Sequence, residues 1–204
     1  MIESARRRRI GIPFHFTLKT LETFVATTAE ERDNLEWCHR FAEGAAEGSP
    51  ASGLLTGDMG NGKTHLACGI ATAVAEQLGT LFCESTVQHL ERVHYTTTAD
   101  IVRDIKASWE SHMMTEKTIR DKLIGYRLLI IDEVGAGTWT DFARDTLFGL
   151  LDARYGAVRP TLFVSNLGIE ELTEYLTPRG IDRLREHGAD IRVFSGESHR
   201  GKQG

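Results

Sequence analysis

From Leu54 to Ala67 the chain reads LLTGDMGNGKTHLA. Gly57, Asp58, Met59, Gly60, Asn61, Gly62, Lys63 and Thr64 match the pattern GxxxxGK[ST]. The residue types explain each other. The glycines let backbone N–H groups turn inward around phosphate oxygens. A helix opening near Lys63 would add its N-terminal dipole. Lys63 would bridge the β- and γ-phosphates, and the Thr64 hydroxyl would bind Mg2+. With His65 next in line, these residues form the expected ATP-binding set, and the alternative is an ordinary glycine-rich turn.

A triphosphate site that hydrolyses also needs an acidic group for the metal and a base for water. LLIIDEVG, from Leu128 to Gly135, supplies both. Its apolar run reads as a buried parallel strand, with Asp132 and Glu133 at the C-terminal end, where ligands sit in such sheets. Asp132 is the expected Mg2+ ligand, through water, and Glu133 the residue that orients or deprotonates the attacking water. TLFVSN repeats the logic one strand later. Asn166 is placed to hydrogen-bond the γ-phosphate or the lytic water, although an Asn after a strand also serves as a plain turn residue.

The elements that must hold these groups alternate along the chain. An amphipathic pattern over Ala29–Ala46 predicts a helix. ASGLLT predicts a strand, Lys63–Leu78 a helix, and TLFC (80–83) a second strand. Thr98–Trp109 and Thr115–Ile124 predict two helices, RLLIID a strand, Asp141–Tyr155 a helix and PTLFVSN a strand. Short helices follow around Glu170–Leu176 and Arg179–His187, and DIRVF closes as a strand. Glu84–Thr97 fits poorly and reads as an insertion. Cys83, His89 and His94 fall in or beside it, but three ligands without a clear fourth are poor support for zinc. Apolar strands between helices predict a mainly parallel, five-stranded sheet covered on both faces, a three-layer α/β/α sandwich of the P-loop type.

The 204 residues suit one domain: a basic tail over 1–11, carrying Arg6–Arg9, then the core over 12–204. The tail is expected to be mobile and solvated, or else a phosphate or partner contact. Hydrophobic residues make up 41% and charged residues 26%, which suits a buried core. A net charge of −5 argues against a surface that binds nucleic acid all over, and leaves room for a local basic patch. The three cysteines form no CxxC pair and read as reduced thiols of a cytoplasmic protein. No apolar run has the length of a membrane span, and no secretory signal follows the N-terminal arginines.

These motifs, in this order, resemble the AAA+ ATPases, and most of all the branch holding the bacterial helicase loaders (DnaC and DnaI types) and the IstB transposition helpers. The resemblance runs from Ile12 to Arg200 through IPFHFTLKTLETF, GDMGNGKTHLA, LLIIDEVG, LFVSN, GIDRLRE and ESHRGK. It implies that Lys63 and Thr64 are Walker A, Asp132 and Glu133 Walker B, and Asn166 sensor 1. It also implies an arginine finger within PRGIDRLRE, at Arg183 first, then Arg179 or Arg185. Sensor 2 would be Arg200, and the full lid domain of larger AAA+ proteins is not expected. The family's DNA-lining helix between the second and third strands would be Thr98–Trp109. There Arg103 and Lys106 would meet phosphates and Trp109 would stack on a base; the alternative is a solvated charged face with Trp109 in the core.

The function so implied is an Mg2+-dependent ATPase that assembles on its partner and loads or remodels a replicative helicase on single-stranded DNA. The close alternative is an ATPase helper of a transposase. A small-molecule P-loop kinase and a nucleotide-gated binding module with negligible turnover are more distant readings. Separate N-terminal docking domains are usual in such loaders, and about a dozen residues precede IPFHF here. Docking is therefore expected through the arginine-rich tail, another surface or a companion protein.

Overall fold

The computed structural model describes residues 7–79, 92–110, 114–137, 140–186 and 188–195. Among the described residues five strands form one all-parallel sheet in the order β2-β3-β4-β1-β5: β1 Gly53–Gly57, β2 Val93–Thr97, β3 Leu128–Asp132, β4 Thr161–Val164 and β5 Asp190–Phe194. The helices are α1 Ala29–Glu47, α2 Lys63–Gln77, α3 Thr98–Ser108, α4 Glu116–Gly125, α5 Asp141–Gly156 and α6 Ile169–Glu186. Strand periodicity divides the apolar side chains between two cores. Leu55, Leu128, Ile130, Leu162 and Val164 meet Trp37, Phe41, Leu66 and Ile70 of α1 and α2. Leu54, Leu129, Ile131 and Phe163 meet Ile101, Leu123, Leu147 and Leu172 of α3 to α6. The expected three-layer α/β/α sandwich is the fold.

A strand lies where none was expected. Val93–Thr97, the end of the segment taken for an insertion, pairs with β3 from Val93↔Leu128 to Thr97↔Asp132. The expected strand at 80–83, together with Cys83 and His89, lies outside the described residues. His94 stacks on Tyr126 at 4.7 Å. Burial, reinforced by Lys122, lowers its pKa to about 4 against the opposing pull of Asp100, so the ring is neutral. The two short helices expected after β4 are present within α6, separated at Thr177 (φ 62°) just before Pro178, where a proline disfavours helical backbone in the residue ahead of it.

The expected N-terminal tail also changes character from Arg7 onward. Arg7 is buried, donating from Nη1 to Thr17 O (2.8 Å) and pairing with Glu76 (3.5 Å). Ile10 is fully buried, and its carbonyl accepts from Tyr95 N at 2.7 Å. Gly11 must be glycine: its φ is +93°, and a Cβ there would lie 1.9 Å from Tyr95 O. Arg8 and Arg9 are exposed, and Arg6 lies outside the described residues. Among the described residues no helix is long and apolar enough to cross a membrane. Cys38 and Cys68 are buried free thiols.

Arg154 is fully buried on α5. Its guanidinium donates to Thr161 Oγ1 (2.8 Å) and to the carbonyls of Leu123 (2.7 Å), Ile124 (3.1 Å), Tyr126 (3.0 Å) and Pro160 (2.5 Å). Burial, with Arg159 nearby, lowers its pKa to about 9, which leaves it charged at neutral pH. This one side chain ties the end of α4 to the start of β4. Arg154→Leu would strand those acceptors and is expected to cost about 3–5 kcal/mol. Urea unfolding would show it, and a midpoint unchanged from wild type would contradict the assignment.

Candidate nucleotide and metal site

Four helices begin with a threonine whose hydroxyl accepts an N–H of the first turn: Thr28 on α1, Thr97 on α3, Thr115 on α4 and Thr140 on α5. Helix α2 differs. Its N-cap is Gly62, in the left-handed region at φ 85° and with no side-chain cap. The helix dipole and its first N–H groups therefore face the loop after β1, in the arrangement that suits an anion. Phe24 presses on Gly62 so closely that a Cβ there would lie 2.5 Å from its ring, which fixes the loop from outside.

Lys63 is 3% exposed, and its Nζ donates to Gly57 O (2.7 Å) and Asp58 O (2.5 Å). Its charge is thus held inside the curl of the loop. The side chains of Asp58 and Met59 are exposed, while Asn61 turns inward and donates to Phe194 O at 3.2 Å. His65 Nε2 lies 2.9 Å from Thr20 O and 3.1 Å from Thr23 Oγ1, and its ring meets Phe24 edge-on. The imidazole therefore braces the Thr20–Phe24 segment against the loop.

The fold joins this loop to the acidic pair. Thr64 Oγ1 donates to Asp132 Oδ2 at 3.0 Å, and Asp132 is 3% exposed. A hydroxyl and a carboxylate in contact are the hard oxygen donors that Mg2+ takes while keeping several waters. Glu133, directly after β3, is exposed and left-handed (φ 57°), and its N–H donates to Asp132 Oδ1 at 2.6 Å. Such a conformation in a non-glycine residue stores strain of the kind found at functional sites.

Asn166 is exposed two residues past the end of β4, the strand that lies between β1 and β3. Its neighbours are fixed. Ser165 Oγ donates to Val134 O (2.5 Å) and accepts from Leu167 N (3.1 Å), while Leu167 O accepts from Gly57 N (3.2 Å) and Thr56 Oγ1 (2.5 Å). Ser165 thus couples the loop carrying Glu133 to the loop carrying Asn166, and both to the strand that feeds the phosphate loop. Sequence reasoning passed over it as part of SN.

Tyr95 was missed too. Its hydroxyl donates to Asp132 Oδ2 at 2.5 Å. Burial and the Asp132 charge push the phenol far above its ordinary pKa, so it remains a donor. Once β2 is placed at Val93–Thr97, its parallel register beside β3 is the signal that could have found it.

The other expected residues are spread over α3 and α6. Arg103 is paired with Asp100 (2.7 Å) and Asp104 (3.7 Å). Lys106 lies over the Phe142 ring at 5.8 Å, and Trp109 meets the same ring at 5.4 Å. Trp109 is 60% exposed, so it is not a core residue. Lys106, Trp109 and Phe142 form one surface patch, with Arg103 held by its own helix. Arg185 is exposed and near Asp182 (3.9 Å). The side chains of Arg179 and Arg183, and Arg200 as a whole, lie outside the described residues.

Comparison with known proteins gives the family and the fold. The replicative helicase loader DnaC of Escherichia coli K12 is 28% identical over 156 residues, covering 76% of this chain and 59% of the loader. The chain thus spans about three-fifths of that relative's length. The loader DnaC of Buchnera aphidicola subsp. Schizaphis graminum is 28% identical over 193 residues, covering 94% of this chain and 73% of the relative. Among solved structures, a DnaC helicase loader superposes with a TM-score of 0.74 at 17% identity, over 89% of this chain and 99% of that one. A DnaI structure does so at 0.70 and 23%, over 96% and 100%. The AMPPCP-bound DnaA of Aquifex aeolicus reaches 0.67 at 18%, over 88% of this chain and 51% of that one. These likenesses show a shared P-loop AAA+ fold. The model of the IstB-like ATP binding proteins matches residues 49–204, from the strand before the phosphate loop to the C-terminus, and the chain belongs to that family.

Proposed function

We propose that the chain is an Mg2+-dependent ATPase that loads or remodels a replicative helicase on single-stranded DNA. The observation that carries the reading is the contact between Thr64 and Asp132, which joins the phosphate loop to the acidic pair. The 28% identity to the E. coli helicase loader supports the choice of partner. In this reading the N–H groups of Gly60 to Thr64 and the Lys63 ammonium hold the β- and γ-phosphates. Thr64 and Asp132 would hold Mg2+, which when bound neutralises phosphate charge. Glu133 accepts the proton of the attacking water at its carboxylate, and Asn166 orients the water or the γ-phosphate. Arg183, with Arg179 or Arg185 as alternatives, reaches a neighbouring subunit's γ-phosphate, which requires self-association on the partner; Arg200 would be sensor 2. A cytoplasmic location suits such a factor.

A second reading, a transposase helper of the IstB kind, is favoured by the family match over residues 49–204. Recovery from the native host with ATP separates the two, because a loader retains a replicative helicase and a helper retains a transposase.

The DNA part of the proposal rests on Lys106 and Trp109 sharing the exposed Phe142 patch, with Arg103 on the same helix. Labelled single strands should bind more tightly with ATP than without. The double variant Arg103→Ala/Lys106→Ala should bind more weakly, and its log–log salt slope should be flatter by about 1–1.5, the share of two phosphate contacts on a single strand. Equal affinity and slope would move the DNA site off α3, with Arg8 and Arg9 the next residues to test.

A further inference from the structure

We propose that Tyr95 is a positioning residue for the metal site: its hydroxyl holds Asp132 in the orientation that receives Mg2+. The inference rests on the Mg2+–ATP reading above and adds a residue that the nucleotide motifs do not contain. Among the described residues Asp132 has three donors. Thr64 Oγ1 and Tyr95 Oη both meet Oδ2, and the Glu133 N–H meets Oδ1. They do different work. The Thr64 oxygen is itself a prospective metal ligand, and the Glu133 N–H belongs to a strained backbone that carries the base. Tyr95 alone has no other role in the site, and it bonds to Asp132 from the neighbouring strand.

That strand is anchored independently of the nucleotide loop. Tyr95 pairs with Ile130 in the β2–β3 register, two residues ahead of the Thr97↔Asp132 pair. Its N–H donates to Ile10 O at 2.7 Å, and its carbonyl lies where a Cβ on Gly11 would be, 1.9 Å away. The ring is 4% exposed. A rigid phenol on a clamped strand fixes the carboxylate before any metal arrives. Outer hydrogen-bond partners of this kind typically set metal affinity by about 10–100-fold.

The test titrates Mg2+ against the full chain carrying a fluorescent ATP analogue, in wild type and Tyr95→Phe. The phenylalanine keeps the ring and removes the one bond. Nucleotide affinity in EDTA should stay within about twofold of wild type, which also shows that the variant is folded. The Mg2+ concentration giving half of the metal-dependent gain in affinity should rise about tenfold. Turnover at saturating Mg2+ should return close to the wild-type value. An unchanged Mg2+ midpoint overturns the proposal and leaves Tyr95 a packing residue. So does a loss of affinity equally large in EDTA, which would mean that Tyr95 acts through the fold. A wild-type chain whose nucleotide affinity ignores Mg2+ overturns the metal reading itself, and this inference with it; that failure is visible before any variant is compared.

Discussion

Lys63→Ala is expected to lower ATP affinity by about 10²–10⁴-fold and to abolish turnover. The Lys63 ammonium is 3% exposed and aimed into the loop, between Gly57 O and Asp58 O. No other cation among the described residues of the phosphate loop can take its place. Charge-assisted hydrogen bonds contribute about 1.5–3 kcal/mol each, so losing two to phosphate oxygens accounts for an effect of that size. Titration of a fluorescent ATP analogue measures it directly. The fold should survive, since the surrounding cores are apolar and do not depend on the ammonium. A folded variant with wild-type affinity and turnover would remove the nucleotide assignment.

Glu133→Gln should separate binding from hydrolysis. The amide keeps the size of the side chain and the backbone N–H that donates to Asp132 Oδ1, so Asp132 stays in place. It cannot accept a proton from water. General-base catalysis contributes about 10²–10⁴-fold, and turnover should fall by that factor while ATP affinity stays near wild type. Phosphate release without an added acceptor is the measurement, and it also separates a hydrolase from a kinase. Unchanged turnover would mean that another residue handles the water. A parallel loss of binding would mean that Glu133 supports the loop rather than the chemistry.

The chemistry of the candidate site was legible because each part is local. A loop that wraps phosphate needs glycines at fixed offsets and a lysine at the start of a helix, and both are close in sequence. A buried strand that ends in acids, and a second that ends in Asn, announce themselves by an apolar run and a sudden polar residue. The same locality made most helix boundaries readable, and the structure puts a threonine cap ahead of α1, α3, α4 and α5. The second strand was not readable in this way. VHYTT is an edge strand, short and mixed in polarity, and TLFC is the more apolar run. What makes Val93–Thr97 a strand is its pairing with Leu128–Asp132 and the carbonyl of Ile10, both distant in sequence.

The sequence by itself determined the phosphate loop, the acidic pair and the alternation that yields a parallel α/β sandwich, because these depend on residue type and spacing within one element. Only the tertiary structure decided which groups touch. Sheet order placed β4 between β1 and β3, so that Ser165 could couple the loops of Glu133 and Asn166. Register put the Tyr95 hydroxyl on Asp132. Packing buried Arg154 among the carbonyls of Leu123 and Pro160 and drew Arg7 out of an apparent tail. The contacts of Ser165 with Val134, Tyr95 with Asp132 and Arg154 with Leu123 join chain segments more than 30 residues apart. Their partners are set by how strands align and helices pack, and hydrophobic periodicity records which face is buried but not what lies opposite it.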